Sequence, residues 1–210
     1  MKSRIFVAVC VTLFVVSSAQ GQLIRGCGIK LGPVIATQSW DYKLPIDLPI
    51  EARWGLDAGV FIEAPDIPIV SVLGELHYTQ KGFKITATVT TEQSPEGAGE
   101  MTSTPRVDYL SLPILLKLRL DLGVIAPYVV AGPRFDFLIG KSSEGYDLVY
   151  DHLKKNDMGA SFGLGVELPT EIVAAFLAEI RYSPSFSKAY YNGMLTVKNQ
   201  SIELLVGARF

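Results

Sequence analysis

Two histidines and a series of alternating charges are the residues of this 210-residue chain whose types could do chemistry. In "GELHYTQKGF" (74–83), Glu75, His77 and Thr79 recur with period two, so on a strand they share one face. A carboxylate beside an imidazole is the minimal general acid–base pair. A histidine among balanced charges more commonly stabilises structure, and that reading is preferred. His152 follows Asp151 and precedes Lys154 and Lys155 in a polar segment. An Asp–His pair could serve a hydrolase acting on lipid or peptide, but the segment itself carries no nucleophile motif. Solvated loop polarity is the preferred reading there too. The paired Cys/His spacings of a metal site are absent, and no cofactor is expected. "TTEQSPEGAGEMTSTP" (90–105) reads as a mobile exposed loop rather than a phosphate cradle, because neither a helix start nor a lysine follows it.

The other ionisable residues point the same way as His77. Lys30, Lys81, Lys117, Arg119, Arg134, Arg181 and Arg209 fall on one phase of period-two segments. So do Asp57, Glu63, Glu75, Asp136, Asp157, Glu167, Glu179 and Glu203. The two signs nearly balance. Facing a common interior, they are expected to pair, since an unpaired buried charge costs several kcal/mol. The expectation is a salt-bridged plug; an ion or proton path is the alternative.

The elements that would hold these residues are strands. In "YLSLPILLKLRLD" (109–121), Leu110, Leu112, Ile114, Leu116, Leu118 and Leu120 alternate with Ser111, Pro113, Leu115, Lys117, Arg119 and Asp121. "DMGASFGLGVELP" (157–169) and "SIELLVGARF" (201–210) alternate likewise, and five more segments near 26–35, 54–64, 69–83, 126–138 and 172–183 do so less cleanly. Eight strands result, each reaching the roughly 9–11 residues that cross a bilayer at a tilt. Tight turns at Ala64–Pro68, Leu122–Ile125 and Pro169–Glu171 alternate with long polar connections near 36–53, 84–106, 139–156 and 184–200. Short turns on one rim and long loops on the other mark an outer-membrane barrel. The expected fold is all-β, an eight-stranded antiparallel up-and-down transmembrane β-barrel. A soluble barrel with its apolar face inward also alternates. The Gly- and Ser-rich polar face favours a narrow lumen instead. So do Trp54, Tyr78, Phe135, Phe137 and Tyr182, apolar-face aromatics placed near the long-loop rim.

Composition fits. The chain is 49% hydrophobic and 19% charged, below the roughly 25% charged of soluble domains. With a net charge of -2, nothing marks it as a nucleic-acid binder. "MKSRIFVAVCVTLFVVSSAQGQ" has a basic start, a short apolar core and small residues at Ser17 and Ala19, so residues 1–19 read as a cleaved signal peptide and 20–210 as the barrel. Cys10 leaves with the signal, and Cys27 then has no disulfide partner.

"YLSLPILLKLRL", "APYVVAGPRFDFLIG", "GASFGLGVEL", "IELLVGARF" and "GELHYTQKGF" resemble the PorT-like outer-membrane β-barrel family of Bacteroidetes-type, Gram-negative bacteria. The resemblance implies an outer-membrane location, an association with protein export and no catalytic motif to carry over. The expected role is non-enzymatic, structural or binding, exercised through the long extracellular loops; a rim enzyme and a porin-like small-solute channel are the alternatives. Expected partners are outer-membrane lipid, the barrel-assembly machinery and a protein at the loops, with the barrel itself monomeric. Phe210, closing an alternation of Ile202, Leu204, Val206 and Ala208, is expected to be an interfacial anchor and the signal that machinery reads.

Overall fold

The structure is a computed structural model and describes residues 24–42, 50–91, 94–169, 174–191 and 194–210. The predicted signal peptide lies outside the described residues. The strands are β1 (Gly26–Tyr42), β2 (Ile50–Glu51), β3 (Arg53–Ala64), β4 (Val70–Gly82), β5 (Lys84–Thr91) and β6 (Ser94–Ser103). They continue with β7 (Arg106–Arg119), β8 (Ala126–Ser142), β9 (Asn156–Leu168), β10 (Ala175–Pro184), β11 (Tyr190–Tyr191) and β12 (Leu195–Arg209). One helical turn, Asp147–Tyr150, follows β8.

β1, β3, β4, β7, β8, β9, β10 and β12 pair in that order, and β12 returns to β1, so the barrel closes with eight antiparallel staves. The closing seam runs from Gly28↔Arg209 to Tyr42↔Leu195. Beyond Arg209, Phe210 donates its N–H to Cys27 O (2.7 Å) and accepts from Cys27 N (3.1 Å). The outer wall is apolar as the alternation requires: Ile29, Leu31, Val60, Leu116, Leu164, Ile180 and Val206 are all exposed there.

Two features differ from the sequence reading. Several staves are longer than read: β1 and β8 have 17 residues and β12 has 15. Above the apolar band the outward positions turn polar, as at Ser39, Asp41, Lys198 and Gln200, so the hydrophobic signal stops while the ladder continues. The 90–105 segment is also not an irregular loop. Ser94–Ser103 is a strand paired to β5, and with β2 these form a second, three-stranded sheet outside the barrel wall.

Inward glycines make room rather than bend the chain. A Cβ on Gly165 would sit 2.2 Å from Tyr128 Cζ, and one on Gly59 would sit 2.5 Å from His77 Cγ, so each glycine seats the ring of its cross-strand partner. At Gly32 the obstacle is backbone: a Cβ would meet Leu204 O at 1.8 Å on the closing seam. Gly32→Val is therefore expected to lower the urea midpoint of refolded protein by about 1–3 kcal/mol of stability. Gly74→Ala, whose added carbon would find Ile62 Cγ2 at 3.6 Å, should leave it unchanged.

Candidate functional site

The inward-facing side chains of the described staves meet one another across the lumen. Strand alternation sends every second side chain inward, and the charged residues arrive there in groups that touch. Near the short-turn rim, Glu63 of β3 and Glu167 of β9 flank Lys117 of β7. Lys117 Nζ lies 3.1 Å from Glu63 and makes a very short contact with Glu167. Arg119 and Arg209 each reach Glu167 at 3.3 Å, and Ser71 donates to Glu63 at 2.7 Å. The mid-lumen group centres on Arg181 of β10, which reaches Glu75 at 2.7 Å and Glu179 at 2.5 Å; Lys30 of β1 reaches the same two carboxylates at 2.7 and 2.8 Å. His77 sits between Asp57, through a short contact, and Glu75 at 3.3 Å; Thr79 donates to Asp57 at 2.5 Å. Glu203 accepts from Ser183 and Ser201. Nearer the long-loop rim, Lys81 and Arg134 share Asp136 at 2.6 and 3.0 Å, while Asp157 accepts from Ser185 and Asn199. All these charged residues are buried except Arg209, whose side chain is partly buried.

Sequence alone did not show the apolar matter packed among them. Phe61, Leu73, Leu115, Tyr128, Val130 and Leu177 form a buried cluster inside the barrel. Lys30 Nζ lies 5.2 Å from the Phe61 ring centroid and Lys117 Nζ lies 4.4 Å from that of Tyr128, so this cluster links the two lower charge groups. A second cluster lies at the long-loop end. It gathers Phe83, Ile85, Tyr109, Tyr150, Leu153 and Tyr190, among others, from strands and loops. Trp40 and Tyr146 pack against it, edge to face with Phe83 and with each other at centroid distances of 5.1–5.9 Å. The signal for this cap was the aromatic content of connections that otherwise look polar.

The candidate catalytic groups come out as follows. His77 is 2% exposed and lies between two carboxylates, beyond the reach of a substrate. His152 is exposed beside Asp151. Lys141 donates to Asp151 at 2.7 Å, and this bond holds the Asp151 carboxyl below its usual range. "GASFG" (159–163) has the G-x-S-x-G spacing of a nucleophile elbow, a match the sequence reading passed over. It lies mid-strand in β9, where Ser161 is fully buried and 2.9 Å from Ser183 Oγ, so no elbow forms. Among the described residues no group of three or more His, Cys, Asp or Glu could hold a metal ion.

A family profile described as "Outer membrane protein beta-barrel domain" matches residues 26–191. The chain belongs to that family. Among solved structures, Neisserial surface protein A shares 14% identity over 89% of this chain and 97% of that one, with a TM-score of 0.50. OprG of Pseudomonas aeruginosa shares 15% over 88% and 96%, with a TM-score of 0.47. Ail of Yersinia pestis shares 14% over 88% and 99%, with a TM-score of 0.41. At such identities the likeness is one of fold. No curated protein matches the chain. Family membership and the closed eight-stranded wall place this outer-membrane β-barrel protein in the bacterial outer membrane.

Proposed function

We propose that the protein is a non-enzymatic barrel that closes its own lumen and works as a binding or scaffold protein through its outward-facing surface. The observation that carries this reading is the continuity of the filling: ion pairs and aromatic packing follow one another from Glu63 and Lys117 up to the cap over the mouth. An eight-stranded barrel has an interior that side chains alone can fill. With the lumen spent on stability, recognition is left to the rim and to the β2–β5–β6 sheet beside it. Within the family, the segments resembling PorT-like barrels support a role tied to protein export, with a protein partner at the outer surface.

Purified protein in a planar bilayer is expected to show no steady conductance. Stable single-channel steps in the wild type would reject the closed lumen and favour a solute channel. Crosslinking on intact outer membranes should trap a specific partner on the β5–β6 hairpin. Turnover of lipid or peptide that disappears in His152→Ala protein would favour a rim enzyme instead.

A further inference from the structure

Two short turns at the rim opposite the long loops carry apolar side chains that the alternation of the wall does not require. One joins β3 to β4 through residues 65–69, and the other joins β7 to β8 through residues 120–125. They are neighbours, because β4 pairs with β7: Arg119 N donates to Ile69 O at 2.8 Å, one step beyond the pair Val70↔Leu118. Val124 is 83% exposed, the highest value for a large apolar side chain among the described residues, and Leu122, Ile67 and Ile69 are exposed around it. The turn is built to hold them there. Leu122 N donates to Ile125 O at 3.0 Å, Gly123 N donates to the Asp121 carboxylate at 3.0 Å, and Gly123 takes a φ of 88°, which glycine adopts without strain. The carboxylates of the same turns are held toward the lumen mouth. Asp66 lies 3.7 Å from Arg25 and Asp121 lies 4.0 Å from Arg119, and both arginine side chains are buried.

A contiguous apolar tip of this kind marks a surface that something other than water covers. Its neighbours point to lipid. Leu120 and Leu122 continue the exposed row of Ile114, Leu116 and Leu118 on β7, and Ile69 adjoins the exposed Val70 on β4, so no polar residue separates the tip from the lipid-facing wall. That row is also tall. At a rise of about 3.4 Å per residue and a tilt of about 40°, it stands about 30 Å high from Leu110 to Leu122, against an apolar band of about 25 Å in outer-membrane barrels. On β12, diametrically across the barrel, the run from Ile202 to Phe210 stands only about 20 Å high. We propose that the turn of residues 120–125, with Ile67 and Ile69 beside it, inserts into the leaflet at the short-turn end, where lipid acyl chains cover its apolar tip. The insertion is shallow. Asp66 and Asp121 stay at headgroup depth beside their arginines, where a charge costs little.

The test uses the full chain with Cys10→Ser and Cys27→Ser, refolded into phosphatidylcholine vesicles with one nitroxide on an introduced cysteine. Val124→Cys reports on the tip and Leu118→Cys on the wall. Glu100→Cys, exposed on β6 at the opposite end, is the aqueous reference. Heat-modifiability on gels confirms that each labelled protein is folded. The Val124→Cys label is expected to respond to dissolved oxygen and to be shielded from a water-soluble nickel chelate severalfold better than the Glu100→Cys label, close to the Leu118→Cys label. Nickel accessibility equal to that of Glu100→Cys, in vesicles that hold no other protein, would overturn the insertion and leave the tip to a soluble partner. Val124→Trp in the otherwise unchanged chain gives a second reading without a label. Lipid brominated on its acyl chains should quench the emission that this variant adds to the parent protein, and added emission that stays unquenched would equally overturn the insertion.

Discussion

Replacing Arg181 with Met is expected to cost about 3–5 kcal/mol of folding stability, the usual loss when one partner of a buried ion pair is removed. Arg181 is fully buried and reaches three carboxylates: Glu75 at 2.7 Å, Glu179 at 2.5 Å and Glu203 at 3.9 Å. Without it, Glu75 keeps Lys30 and the His77 contact, Glu179 keeps Lys30 and the Tyr128 hydroxyl, and Glu203 keeps only hydroxyl donors. Re-solvation is opposed by the apolar packing on either side, the aromatic cluster toward the long-loop end and the Phe61–Tyr128 cluster toward the other rim. Arg119→Ala supplies the contrast. Arg119 shares Glu167 with Lys117 and Arg209, and its second partner, Asp121, is 59% exposed at 4.0 Å. Its removal should cost about 1 kcal/mol, close to a surface pair. Urea unfolding of refolded protein in detergent, followed by tryptophan fluorescence, measures both. Adding Glu179→Gln to Arg181→Met should restore part of the loss, because it removes one stranded charge. Equal midpoints for the Arg181 and Arg119 variants would mean that the mid-lumen group does not hold the barrel together.

That contrast shows what could be read from residues alone. The period of two assigns a face to Arg181 and Arg119 alike, and it placed both inward. It cannot rank them by depth, because depth depends on how staves are staggered around a closed wall. The same limit hid Phe61, Leu73, Tyr128, Val130 and Leu177: an apolar residue on the inward phase looks like a fault in the pattern until the lumen is seen to hold an apolar layer. The wall itself was legible because lipid demands unbroken outward hydrophobicity, as in Leu110 to Leu120. Where that demand ends, the signal ends. β1 and β12 continue past Ala36 and Ser201 as a paired ribbon whose outer face is polar, and that stretch read as loop. β6 escaped for a related reason, since "SPEGAGEMTS" is mostly Gly, Ser and Glu and lacks the β-branched and aromatic run by which strands are recognised; β5, "KITATVTT", carries such a run, and it was read as part of a polar connection.

Phe210→Asp is expected to separate stability from assembly. The Phe210 ring is 59% exposed on the outer wall at the short-turn rim, and its backbone is clasped to Cys27 by two hydrogen bonds at the closing seam. An aspartate keeps both of those bonds. A charged side chain near the interface costs only about 0–1 kcal/mol, against several at the bilayer centre. Refolded Phe210→Asp protein should thus unfold within about 1 kcal/mol of wild type. In cells the outcome should be different. An exposed aromatic on the strand that must find β1 is a feature that assembly machinery can grip before the seam has closed, and the aspartate offers it nothing apolar. The amount of heat-modifiable protein in the outer membrane should fall severalfold, while substitutions in 94–103 leave it unchanged. The two measurements divide the readings cleanly. Loss of assembly with stability intact assigns Phe210 to biogenesis. Loss of both makes it an anchor of the seam. Normal assembly of Phe210→Asp protein would show that neither role rests on this ring, and that the β1–β12 ladder from Gly28 to Tyr42 closes the barrel without it.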